Sequence, residues 1–142
     1  NSLYKMNEAR NKNSKSFGEI LSSSIIDTIN TLLLTLGTVT IFLIITTIID
    51  KIINISPYYQ AILNGIVEMT QGLKYISILD IPLKLKTIIS VMFISFGGIS
   101  VHTQIISILS DTKIKYLPFL LARILHALIS GILVFILFEW WF

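Results

Sequence analysis

Long apolar stretches separated by short polar intervals organise this chain after a polar opening. From Thr28 to Ile49 no charged residue interrupts 22 positions, about 33 Å as helix and enough for a ~30 Å hydrocarbon core. The stretch before it, Phe17–Ile29, is two-faced at helical spacing. Phe17, Ile20, Leu21, Ile25 and Ile29 fall on one side, and Glu19, Ser23 and Asp27 on the other. It reads either as a helix lying at the membrane surface or as the start of one long helix, predicted over 17–49 and closed by Asp50 and Lys51.

The segment Pro57–Leu79 is apolar overall, yet it carries Gln60, Asn64, Glu68, Thr70, Gln71 and Lys74. A charge at mid-membrane costs roughly 2.5–3.5 kcal/mol on the insertion scale, so this segment cannot face lipid all round. Asn64-Gly65 is a turn signal near its middle. Two half-helices, about Pro57–Leu63 and Glu68–Leu79, are predicted to form a re-entrant hairpin sheltered inside protein.

From Thr87 to Ser110 there is no Asp, Glu, Lys or Arg over 24 residues, but the centre reads Ser95-Phe96-Gly97-Gly98-Ile99-Ser100. Paired glycines lower helix propensity by about 1 kcal/mol each and let the backbone open, so a broken helix is predicted over 87–110. The last span is predicted over 117–138, with Pro118 in its first turn and Arg123 placed to snorkel to the interface. Ser130-Gly131 offers a small-residue packing face, and Trp140 and Trp141 suit an interfacial belt.

Basic residues concentrate in the polar lead-in 1–16 (Lys5, Arg10, Lys12, Lys15) and in the Asp111–Tyr116 loop (Lys113, Lys115), which places both in the cytoplasm. With 57–79 re-entrant, Lys84 and Lys86 then fall outside, against the charge rule. The rival topology makes 87–110 the re-entrant segment and puts those lysines inside. Charge favours the rival and the polarity around Glu68 favours the first.

Composition agrees with lipid as solvent. Of 142 residues, 54% are hydrophobic and 13% charged, against about a quarter charged in soluble domains. The fold class expected is all-α integral membrane: spanning helices, a re-entrant helical hairpin and a broken helix. The net charge of +3 is too small to suggest a nucleic-acid partner, and the absence of cysteine excludes disulfides and thiolate metal sites. Asn1 stands where a start methionine would, so the chain is expected to be a fragment of a longer protein.

Glu68 carries the chemistry. An acid in an apolar segment, near Asn64 and Thr70, is a functional candidate by default, with a buried structural carboxyl, held neutral or paired with Lys74, as its alternative. Ser95, Ser100, His102 and Gln104 around Gly97-Gly98 add donors and acceptors, and together these residues are the expected solute-binding set. No zinc-protease helix, nucleophile elbow or P-loop is present. His102 and His126 have no carboxylate or thiol at ligand spacing, so neither an enzyme nor a metal or cofactor site is expected.

The run NGIVEMTQG at Asn64–Gly72 resembles the G-x-x-E-x-T-x-G signature of Gate (nucleoside-recognition) membrane domains. Ser95–Gly131 resembles the C-terminal part of the YlbJ-type sporulation integral membrane proteins of spore-forming bacteria. More distantly, the region is similar to the last repeat of concentrative nucleoside transporters, where a hairpin acid precedes a broken helix. Glu68, Gly97 and Ser100 match parts of those motifs, whereas Gly98 or Ile99 stands where the transporters keep an asparagine. The resemblance implies one repeat of a two-repeat carrier in the cell membrane, its partners being the lipid bilayer, the missing N-terminal half and a small polar solute, with a homo-oligomer left open. The competing expectation is a non-transporting scaffold that docks another membrane or spore-envelope protein.

Overall fold

The computed structural model describes residues 16–110 and 112–141; residues 1–15 of the predicted basic lead-in, Asp111 and the side chain of Trp141 lie outside the description. Helix α1 spans Phe17–Ile52, α2 Pro57–Val67, α3 Met69–Ile78, α4 Leu83–Phe96, α5 Gly98–Leu109 and α6 Tyr116–Trp141. Two units are distinguished, one running to Thr35 and one from Leu36 onward. The tertiary packing described below belongs to the second.

The two-faced stretch at Phe17 does not end before the apolar run: α1 is a single helix of 36 residues. A capping box starts it, with the Ser16 amide donating to Glu19 Oε2 at 2.9 Å and the Glu19 amide to Ser16 Oγ at 3.3 Å. Its threonines hide their hydroxyls in the helix itself. Thr28, Thr31, Thr40 and Thr47 each donate to the carbonyl four residues back at 2.7–2.8 Å, which removes the cost of exposing them to lipid.

Burial is inverted relative to a water-soluble domain. The outer surfaces of α1 and α6 are leucine, isoleucine and phenylalanine, while the enclosed positions include Thr46, Asn64, Glu68, Ser95, Ser100 and His102. Three helical segments are long and apolar enough to cross a bilayer: Phe17–Ile52, Leu83–Leu109 and Tyr116–Trp140. The molecule is an all-α integral membrane protein.

In the second unit α4 runs along α6, α2 folds back on α3, and this hairpin rests on α4 and α5. A core of Ala61, Ile76, Ile89 and Phe93 joins hairpin to α4. The hairpin differs from expectation at its break. Asn64-Gly65 does not turn; α2 continues through both to Val67, and the chain opens at Glu68 instead. Gly65 serves close packing. A Cβ on Gly72 would lie 2.2 Å from Gly65 Cα, and one on Gly65 would lie 2.2 Å from the Phe93 ring. Glycine here lets the two arms touch backbone to backbone.

The Gly97-Gly98 break falls where the paired glycines predict it, with φ of 92° and 72°, values that L side chains rarely adopt. The helix begins earlier than expected, at Leu83 rather than Thr87. The start of α4 lies beside the end of α6, where Lys84 Nζ meets Glu139 Oε1 at 2.9 Å and the rings of Phe135 and Phe138.

Candidate functional site

Glu68 is 1% exposed and has extended geometry, φ −144° and ψ 115°, between two helices. It closes α2 through its amide, which donates to Asn64 O at 2.7 Å, and opens α3 through its side chain. Oε2 accepts from the Gln71 amide at 3.0 Å and from the Thr70 hydroxyl. A carboxylate at a helix N-terminus is stabilised by the free amides and the helix dipole, so the acid needs no cation. Lys74 is exposed and makes no ion pair with it among the described residues, so the Lys74 pairing offered as one structural alternative is not made, and helix capping holds the acid.

The second break meets this one. A Cβ on Gly98 would stand 3.1 Å from Met69 N, 3.3 Å from Val67 O and 3.4 Å from Glu68 Cα. Two interruptions, far apart in sequence, are thus stacked against each other inside the protein. Interrupted helices leave amides and carbonyls without intrahelical partners, so polar backbone from both breaks meets at this junction.

The other expected residues divide. Asn64 is fully buried and donates from Nδ2 to Asp50 Oδ1 at 2.7 Å, leaving Oδ1 without a partner. Ser100 Oγ and Gln104 Nε2 are likewise enclosed and unpartnered. His102 holds Nδ1 at 2.7 Å from the Tyr116 hydroxyl and packs against Phe96 and Phe119, while its Nε2 is enclosed without a partner. Buried polar atoms are nearly always paired in native proteins, so these four enclosed orphans on α2 and α5 stand out. Ser95 belongs elsewhere: its hydroxyl donates to Ser130 Oγ at 3.0 Å in the α4–α6 seam. The Ser130-Gly131 face is used in the same seam, where a Cβ on Gly131 would be 2.9 Å from Met92.

Two contributors escaped the sequence reading. Asp50, read only as the end of a span, accepts from Asn64 and, through Oδ2, from the Tyr75 hydroxyl at 2.6 Å, tying the end of α1 to both hairpin arms. Arg123, expected to snorkel outward, turns inward instead: Nη2 is 3.0 Å from where a Gly97 Cβ would be. Its position seven residues into an apolar helix was the available signal.

Fold and junction together define a multi-pass integral membrane protein whose second unit is a helical hairpin stacked on a broken helix. The chain is similar to the sporulation integral membrane protein YlbJ of Bacillus subtilis (strain 168), at 26% identity over 158 aligned positions. That alignment takes in 96% of this chain but 38% of the relative, so the chain spans well under half the length of the curated protein it matches. No family model matches the chain, and no solved structure matches it.

Proposed function

We propose that this chain forms one repeat of a carrier-like, Gate-type protein of the cell membrane, and that the Glu68–Gly98 junction lines a site for a small polar solute. One observation carries the reading: a fully enclosed acid sits at a helix break that is pressed against a second break. Broken helices meeting within the membrane are how secondary transporters present polar groups to their cargo. The opposing wall would come from an N-terminal repeat, and the reading assigns solute passage, not catalysis, to the site. The name of the Bacillus relative suggests spore formation as the setting.

Helix lengths support a re-entrant hairpin. At 11 and 10 residues, α2 and α3 are each about half of the ~20 needed to cross, whereas Leu83–Leu109 is long enough despite its break. The charge objection to that topology is also weakened. Lys84 is paired with Glu139, and Lys86 Nζ donates to Ser77 O at 2.9 Å.

The test is Glu68→Gln in the full-length protein, with a thermal-shift screen against nucleosides, nucleobases, amino acids and metal ions. The variant is expected to insert normally, to lose the solute-dependent shift of the wild type and to fail in spore formation. Wild-type solute response and sporulation in the variant would remove the acid from the mechanism.

A further inference from the structure

Between Tyr116 and Phe138, Arg123 is the only Asp, Glu, Lys or Arg, at an insertion cost of roughly 2.5–3.5 kcal/mol if it faced lipid. The guanidinium avoids that by lying against the broken helix. Its Cζ is 5.9 Å from the Phe119 ring centre, Nη2 abuts Gly97, and Nε is enclosed without an acceptor. Among the described residues no carboxylate pairs with it. The carbonyl end of α4 offsets part of its charge.

The other side of the break has the opposite polarity. Helix α5 starts at Gly98 with Gly97 as a cap that has no side chain to offer. The amides of Gly98, Ile99 and Ser100 therefore have no partner within the helix, and the dipole there favours negative charge. Ser100, in this first turn, is 0% exposed and its hydroxyl has no partner. A helical serine ordinarily donates to the carbonyl one turn back. For Ser100 that carbonyl is Phe96's, across the break, and the bond is not made. The Phe119 ring under Arg123 also packs on His102, 5.7 Å between centroids, which holds the guanidinium at the break.

Arg123, Ser100 and the α5 terminus leave donors unsatisfied, namely a guanidinium, a hydroxyl and helix-terminal amides, and His102 Nε2, also enclosed and unpartnered, donates when Nδ1 accepts from Tyr116. We propose that Arg123, the Ser100 hydroxyl and the first turn of α5 form an anion subsite that takes a carboxylate or phosphate group. It rests on the reading of the junction as a solute site, and it adds a class: solutes carrying an anionic group, bound at the same break that Glu68 abuts. A guanidinium beside helix amides suits the two oxygens of either anion. A phospholipid headgroup offers the same chemistry, so the test has two arms.

In the first, full-length protein in a neutral detergent is melted across a titration of inorganic phosphate or acetate at constant ionic strength. A saturable rise in melting temperature is expected. Arg123→Gln should weaken the apparent affinity about tenfold or more, the loss of a charge-assisted bond. Arg123→Lys should keep part of it, and Ser100→Ala should weaken it several-fold while leaving the melting temperature without anion near wild type. In the second arm the protein is compared in nanodiscs of phosphatidylcholine and of phosphatidylglycerol. An Arg123-dependent phosphate response equal in both assigns the subsite to a soluble anion; Arg123-dependent stabilisation by phosphatidylglycerol with no phosphate response assigns it to a headgroup. Glu68→Gln removes a negative charge from the same break and should keep or strengthen the phosphate response while losing the solute response, so a failed solute reading and a failed anion subsite give different results. If neither phosphate, acetate nor phosphatidylglycerol stabilises the protein, or if the effect persists unchanged in Arg123→Gln, Arg123→Lys and Ser100→Ala, the subsite does not exist.

Discussion

Replacing Gly72 by alanine tests the hairpin at its narrowest point. The added methyl would meet Gly65 Cα at 2.2 Å, Gly65 N at 2.7 Å and Phe93 Cε2 at 2.8 Å. Carbon atoms rest at about 3.5–4.0 Å, so the arms must part by more than ~1 Å. Overpacking of this kind costs about 1–3 kcal/mol, and the nearest obstacle is backbone, which has no rotamer to escape into. The backbone obstacle puts the cost at the upper end of that range, and alanine's better helix propensity returns up to ~1 kcal/mol, leaving a net loss of about 2 kcal/mol. Gly65→Ala differs in kind, because its nearest obstacles are three atoms of the Phe93 ring at 2.2–2.6 Å. Phe93→Leu should therefore relieve Gly65→Ala far more than Gly72→Ala. Gly37→Ala is the control, with nothing within 4 Å of the new methyl. The assay is the melting of detergent-solubilised full-length protein, followed by fluorescence-detected size exclusion. Wild-type melting of Gly72→Ala, or equal rescue of both variants by Phe93→Leu, would refute a backbone-to-backbone contact.

Other residues of the second unit give sharper contrasts. Tyr75→Phe removes the donor at 2.6 Å from Asp50 and should cost about 1.5–3 kcal/mol, seen as a lower melting temperature and faster proteolysis between α1 and α2. Ser95→Ala breaks one neutral bond to Ser130 and should cost about 1 kcal/mol, with the solute and phosphate responses unchanged in thermal-shift titrations. Weakened ligand responses in that variant would return Ser95 to the site.

Much of the architecture is legible in residue order, because lipid leaves few ways to satisfy a backbone. Uncharged runs fix where helices cross, and the paired Gly97-Gly98 marks where a spanning helix loses propensity and its backbone can open. Asn64-Gly65 misled because glycine has two uses, turning and close approach, and only the partner surface decides between them. That surface, Gly72 and Phe93, is distant in sequence. The break moved to Glu68, where side-chain capping of α3 replaces the turn. Asp50 and Arg123 stayed hidden for a related reason. A charged residue near a helix end normally looks toward water, and the direction it takes depends on neighbours that hydropathy cannot name. Glu68 stood out because an acid inside an apolar segment must be sheltered from lipid, whichever group does the sheltering.

The Gly65–Gly72 contact also has a consequence for register. These two residues flank Glu68 by three and four positions, and no other pair along the arms lacks side chains. Sliding either arm by one residue would drive Ile66 or Leu73 into a gap with no room for a methyl group. The hairpin therefore has one permitted alignment, and the depth at which its apex holds a carboxylate is set by two side chains that are not there.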